Sequence, residues 1–501
     1  MLRRAIPFLL LFFAVACVLL AALADARMKQ YRTPSARYRY HAIPVALSQI
    51  YFNHPHDYTA IHELAMRFQS ADTNPEPLLK AATKPGYSAG TGIYFWVADD
   101  RGLSDFVHAA FRIFGPRLHS LNKMHITLLL LSMLFFWLGY RHSPMLLLPV
   151  FTTAFGWLVL VELFPIVPVL PFGADFWKEA VTLAEPRLFD GLAWLSWLHL
   201  LLLLVRVEVA RATFFSAIPQ LLLWLVLFHA RSSLGWQMLA FFIIAFVQFV
   251  HVPVLRKRIA LLACCGIAAL VALKQYQKQM YHPEYFAERG NRTFWHNAIM
   301  GLHFQPTLRE TIPLPQCADV DAVRVVLSQM YLRESDLDKN NWNEQACLNS
   351  LGGHNAFDWP RYEREARAAY WDLWPKRPMQ MMRCYAFDKP REIARQSWHM
   401  AKQLGNRIAA GEENELYIGI PLLLLTLGIV ARLGRSELTW HADARTLSHL
   451  LLVAMCFSLI PAIAFYPAIT TLSCFYLLLS AWLCVNVLRL YWRCTKVYPV
   501  H

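Results

Sequence analysis

Two adjacent carboxylates, Asp99 and Asp100, stand in the stretch Val97-Ala98-Asp99-Asp100-Arg101-Gly102-Leu103-Ser104-Asp105-Phe106. A carboxylate placed this way can serve as a general base, or as an oxygen ligand for a hard divalent cation. The same residue types have a plainer use, with Asp100 as a helix N-cap and Asp99 a solvated acid. Apolar residues at Leu103, Phe106, Val107, Ala110 and Phe114 have helical spacing, and Gly115-Pro116 gives a stop. Arg101, Asp105, His108 and Arg112 fall on the other side of that helix. A helix so patterned can lie on a bilayer surface with its apolar face down, holding Asp99 and Asp100 at its N-terminus just above the membrane.

A second set of chemically capable residues starts at Lys274: Lys278, His282, Glu284, Arg289, Arg292, Trp295, His296, Asn297 and His303 follow. Fixed cations beside a membrane can hold a phosphate at the headgroup level. Lys274 and Lys278 can equally snorkel from the end of a span, whereas Arg289 and Arg292 stand farther off and fit phosphate binding better. Six tryptophans, Trp295, Trp342, Trp359, Trp371, Trp374 and Trp398, can stack on sugar rings, but they also fill small cores and anchor at interfaces.

Other patterns carry less. His54, His56 and His62 have no established metal-ligand spacing. Asp336-Leu337-Asp338-Lys339-Asn340 starts like a calcium loop, but the turn glycine is missing and Cys347 stands where the closing glutamate belongs. Gly86, Gly90 and Gly92 lack the strand-to-helix setting of a phosphate cradle. Asn291-Arg292-Thr293 is a glycosylation sequon, meaningful only in a eukaryotic secretory path. Cys317, Cys347 and Cys384 share one polar segment, which allows at most one internal disulfide, and no CxxC or Cys/His zinc spacing occurs.

The elements that must position these residues are mostly apolar. Of 501 residues, 56% are hydrophobic and only 16% charged, with mean hydropathy +0.32. A soluble domain carries about a quarter charged residues. Nearly charge-free runs recur at the length that crosses a ~30 Å hydrocarbon core. The expected fold is an all-α polytopic membrane protein of about ten transmembrane helices with two large, mainly helical extracytoplasmic loops. Residues 1–24 form the first span, although Ala22-Leu23-Ala24 also offers a signal-peptide cleavage site. Residues 25–123 are the first outside loop, 124–273 hold spans two to seven, 274–415 the second outside loop, and 416–501 the last three spans with a basic tail. Every segment assigned to the inside is basic: Arg3/Arg4, Arg141, Arg206/Arg211, Arg256-Lys257-Arg258, Arg432/Arg435 and the tail. The net charge of +14 is thereby explained by topology and anionic lipid, without nucleic acid as a partner.

This arrangement resembles the GT-C type of polytopic membrane glycosyltransferases, and Asp99-Asp100-Arg101-Gly102-Leu103-Ser104-Asp105 is similar to the acidic motif in the first outside loop of that superfamily. The resemblance implies transfer of a sugar from a polyprenyl-phosphate donor to an extracytoplasmic glycan, lipid or protein acceptor. It implies that Asp99 or Asp100 acts as base or helps bind a divalent cation, and that Arg289 and Arg292 neutralise the departing lipid phosphate. Lys274, Lys278, His296 and His303 are further candidates for the donor phosphate, with Asp105, His108 and Arg112 on the surface helix. The second loop matches no single branch of the superfamily, which leaves sugar and acceptor open. Two other classes fit the composition. A lipid-linked oligosaccharide polymerase or ligase would rely on Arg289, His296 and His303. A transporter would need ionisable groups within the spans, and Glu162 and Asp190 are the few present. The short N-terminus and the lack of a retention signal point to a bacterial inner membrane.

Overall fold

The computed structural model describes residues 2–27, 42–43, 46–47, 50, 102–117, 119–141, 143–163, 188–280, 293–333, 344–351, 358–410, 414–434, 438–467 and 469–496. Among them there is no strand. The chain is an all-α membrane protein. Among the described residues six helices are long and apolar enough to cross a bilayer, and four shorter apolar helices lie at Leu10–Leu19, Met145–Val159, Phe189–Val205 and Tyr417–Arg432. The six fall among the ten expected spans, and the four shorter helices do not reach spanning length by themselves.

In chain order the membrane part begins with α1 (Leu2–Arg27). The amphipathic α2 (Gly102–Phe114) comes next, then α3 (His119–Tyr140) and α4 (Pro144–Leu163). They are followed by α5 (Phe189–Val205), α6 (Arg211–Ala230), α7 (Gly235–His251) and α8 (Arg256–Met280). A polar helical segment then contains α9 (Phe294–Met300), α10 (Pro306–Thr311), α11 (Asp319–Arg333), α12 (Glu344–Ser350) and α13 (Trp359–Lys376). It ends in α14 (Pro378–Arg383), a π-helical turn (Cys384–Asp388) and α15 (Lys389–Ala410). The chain closes with α16 (Asn414–Gly434), α17 (Leu438–Ser458), the short α18 (Ile460–Ala464) and α19 (Ile469–Lys496).

Helix α5 is the axis of the bundle. It is apolar all round, and Phe189 through Leu204 are all buried, as expected of a helix sheathed by other helices rather than lipid. Small residues and polar pairs hold its neighbours close, as is usual where lipid removes the hydrophobic drive to associate. Ser196 of α5 lies 3.2 Å from Ser132 of α3 and donates to Gln220 Oε1 of α6 at 2.6 Å, while Gln220 returns its amide to the Ser132 carbonyl at 2.8 Å. A turn away, Thr213 donates to the Gly139 carbonyl at 2.6 Å and Tyr140 to the His199 carbonyl at 3.2 Å. A Cβ at Gly139 would come within 2.7 Å of the His199 ring, so the closeness of α3 to α5 depends on that glycine.

The helix ends sort into two faces. On one, Arg206 pairs with Asp443 at 3.2 Å, Ser143 donates to Asp443, and Arg258 caps the end of α5 through the carbonyls of Leu203, Arg206 and Val207 at 2.6–2.9 Å. These are segments that the charge pattern assigns to a common side. On the other face stand α2, the α6–α7 corner and the polar helical segment. Lys389 donates to the carbonyls of Ile463 and Ala464 at 2.9 and 3.3 Å, which ties that segment to the connection before α19. Gly301 approaches the Phe465 carbonyl so closely that no Cβ would fit.

Two expected helices in the polar segment, 319–332 and 359–374, correspond to α11 and α13. One boundary moves: α8 runs to Met280, so Lys274 and Lys278 lie on its exposed last turns instead of opening a loop.

Candidate functional site

Helix α2 has the helical bounds that its spacing predicts, but its apolar face packs on the other helices and not on a bilayer surface, and His108, expected on the polar side, is buried. Leu103, Phe106, Val107, Ala110 and Phe111 are buried, with the Phe106 ring 4.9 Å from Phe189 at the top of α5. Gly115 stops it, with φ +86 in the left-handed region that glycine enters without penalty, and its N–H donates to the Phe111 carbonyl at 2.9 Å.

The start of α2 is fixed more tightly than its end. A Cβ on Gly102 would stand 2.5 Å from backbone atoms of His229 and Ala230, the last residues of α6. One turn on, Asp105 accepts from the Gln277 side-chain amide, which also meets the His229 ring. Gln277 belongs to the outer end of α8 and is buried. A carboxylate of α2, an imidazole of α6 and an amide of α8 therefore meet three residues from Gly102. Nearby, the Ser104 hydroxyl is fully buried and has no hydrogen-bond partner among the described residues. Buried polar atoms in that condition are uncommon in folded proteins.

His108 follows on the same helix. Its ring is pushed below the ordinary imidazole range, first by burial and then by the Arg112 guanidinium, whose Nε lies 3.5 Å from the ring. It is therefore a neutral group at pH 7, able to accept one hydrogen bond and donate another. Arg112 itself is exposed. Asp99, Asp100, Arg289 and Arg292 lie outside the described residues, as do His54, His56 and His62. Asp100 stands two positions before Gly102, and Arg289 nine positions after Met280.

The structure holds His296 and His303 in a separate set of contacts. His296 Nδ1 lies 2.7 Å from the Tyr362 hydroxyl and Nε2 3.0 Å from Asp319. Both ring nitrogens are engaged, and the ring is buried. Glu363 accepts the N–H groups of Trp295 and His296 at 2.8 and 3.1 Å, closing the start of α9. Burial raises the Glu363 carboxyl against the pull of those N–H groups. His303 Nδ1 lies 2.9 Å from the Leu314 carbonyl. Burial, more than any neighbour, lowers its pKa. These two histidines join α9, α11 and α13 and the turn before α11.

The described tryptophans divide likewise. Trp359 packs against Tyr362 and Trp295 against Tyr370 and Trp371, while Trp374 stacks on Tyr385 with rings 6.5 Å apart. Those faces are used within the protein. Trp371 stays half exposed despite its contacts, and Trp398 is 75% exposed.

Two groups prove important to the architecture in ways that composition and spacing do not show. Asp190 at the start of α5 accepts from Ser233 at 2.8 Å and Trp236 at 2.9 Å, and its carbonyl takes the Gln237 amide at 3.0 Å. It locks the α6–α7 corner. Lys389 is fully buried; besides its two carbonyl partners its ammonium lies 4.1 Å over the Tyr385 ring. Cys317 and Cys384 are buried in the same segment, and burial pushes the Cys384 thiol up to about 11. Among the described residues no three His, Cys, Asp or Glu side chains converge as metal ligands.

No family model, curated protein or solved structure matches the chain. The class defined here, an all-α membrane protein with a polar helical segment gathered on one face, rests on composition and packing.

Proposed function

We propose that the protein is a membrane glycosyltransferase that moves a sugar from a polyprenyl-phosphate donor to an acceptor hydroxyl at the face bearing α2, with Asp99 and Asp100 as its acidic centre. The observation that carries this reading is the junction of Gly102, Asp105, His229 and Gln277. It anchors the helix that begins just after the acid pair to the end of the helix that leads, through Lys274 and Lys278, to Arg289 and Arg292.

In the reaction, Asp99 or Asp100 takes the proton of the acceptor hydroxyl as its oxygen attacks the anomeric carbon. The bond from that carbon to the phosphate oxygen breaks, and the charge that grows on the lipid phosphate is stabilised by Arg289, Arg292 and the exposed lysines. Asp105 acts as a positioning residue through Gln277. A divalent cation held by Asp99 or Asp100 would supply further charge at the phosphate. In a bacterial inner membrane with this face outside, donor and acceptor would meet in the extracytoplasmic leaflet.

The engagement of His296 by Tyr362 and Asp319, and of His303 by Leu314, favours this reading over a polymerase or ligase that uses those histidines. Asp190 is satisfied by Ser233 and Trp236, which suits a structural lock better than the ion coupling of a transporter.

The test is transfer of labelled sugar from a polyprenyl-phosphate donor in reconstituted vesicles. Loss of a general base costs about 100-fold or more. We expect that loss from Asp99→Asn or Asp100→Asn, with thermal unfolding unchanged in both variants. Full transfer activity in each would sink the proposal.

A further inference from the structure

Helix α15 has one face bound to the bundle and an opposite face of unusual composition. On the bound side, Ile393 packs with Ala462 and Leu472, and Gln396 donates to the Pro467 carbonyl at 3.1 Å. Ser397 lies 3.0 Å from the Tyr476 hydroxyl. Tyr476 is in the second turn of α19, about 10 Å along that apolar helix from its start at 1.5 Å per residue. The middle of α15 therefore stands beside a membrane-crossing helix, level with its first turns.

At 3.6 residues per turn, Arg391, Arg395, Trp398 and Lys402 fall opposite Lys389, Ile393, Gln396 and Met400. All four are exposed. Glu392, the nearest acid, is taken up by Arg395 at 2.8 Å and by Gln396 at 3.1 Å. Just before α15, Phe387 is 70% exposed and Met379 68%. Large apolar side chains turned outward among cations, at the depth where a span begins, have the composition of an interfacial helix.

We propose that α15 is a lipid-docking surface that lies in the headgroup layer, with Trp398 and Phe387 at the acyl boundary and Arg391, Arg395 and Lys402 on the phosphates of anionic phospholipids. Charge complementarity selects this occupant, because the outward face presents three cations beside aromatic rings, and the Glu392 carboxylate takes up Arg395 alone among them. The inference stands apart from the transferase reading, and neither depends on the other.

Two measurements on the full chain in nanodiscs of mixed phosphatidylcholine and phosphatidylglycerol test it. First, p-benzoyl-phenylalanine placed at position 398 should yield, on irradiation, an adduct with the mass of a phospholipid; an adduct with protein alone, or none, overturns the proposal. Second, native mass spectrometry should show phosphatidylglycerol retained at least about fivefold less by an Arg391→Gln/Arg395→Gln/Lys402→Gln variant, since each basic residue near an anionic surface is worth about that factor. Unchanged retention of phosphatidylglycerol overturns it. The photo-crosslink keeps the three cations, so it stands even where the triple variant fails to fold.

Discussion

At the scale of single residues, Lys389 has the sharpest consequence. Burial lowers its ammonium from 10.5 to about 8. For a base, a folded-state pKa below that of the unfolded chain means that the unfolded state holds the proton more firmly. Below about 8 both states are protonated and the fold carries the full burial cost. Between about 8 and 10.5 the folded lysine is neutral while the unfolded one is charged, so stability attributable to this group rises with pH across that window. The gain is on the order of 3 kcal/mol. Comparison of denaturant unfolding of the wild type and Lys389→Met from pH 7 to 11 should show the difference between them shifting toward the wild type by roughly that amount. A difference that stays flat across the window would mean that the lysine is not buried as a cation. Nothing in the sequence marks this residue. It sits among ordinary charges, and its acceptors are backbone carbonyls of Ile463 and Ala464, far along the chain. Asp190 was visible as an acid in an apolar run, but its role needed the positions of Ser233 and Trp236.

At the scale of elements, periodicity read well wherever one face of a helix is buried and the other wet. Helices α2, α11 and α13 lie within a few residues of their expected bounds because their apolar spacing and stops are local properties. The start of the second polar segment was misplaced for the same kind of reason. The last turns of α8 carry Lys274, Gln275, Tyr276 and Gln277, which look like loop by hydropathy, yet Gln277 is held by Asp105 and His229 and the helix continues. That junction supplies the prediction at this scale. In Gly102→Ala the new methyl meets the backbone of His229 and Ala230 at 2.5 Å, and backbone cannot turn aside as a side chain can. Forcing α2 away from α6 should cost about 1–3 kcal/mol, the usual range for overpacking. Hydrogen exchange should speed up in 102–114 and in the last turns of α8, while α5 stays as protected as before. Equal protection of 102–114 in both proteins would show that the contact is looser than described.

At the scale of the whole molecule, apolar length and loop charge indicated an all-α membrane chain, and they did so because a bilayer forces every backbone polar group into a helix. They could not show why α5, with only 17 residues, sits among longer spans. At 1.5 Å per residue it covers about 25 Å, less than the ~30 Å hydrocarbon core. Its ends meet protein instead of lipid: Asp190 is held by the α6–α7 corner at one end, and Arg258 caps the carbonyls at the other. A helix of this length needs neighbours that carry its polar ends if it is to cross a bilayer. The sorting of contacts into two faces makes the expected sidedness testable. Arg206, Ser143 and Asp443 are tied together at one face, while Gly102, Gln277, Asp190 and Ser233 are tied together at the other. The basic turns lie with the first group, so the bias of Lys and Arg predicts that face to be the inside one. Side-specific reporters fused after Arg141, Val207 or Val254 should all score inside, and those fused after Arg117, Ser232 or Tyr466 outside. If Ser232 and Val207 scored on the same side, α6 would not cross the membrane. The Asp190 lock and the Arg206–Asp443 pair would then share a face, which their separation at opposite ends of α5 forbids.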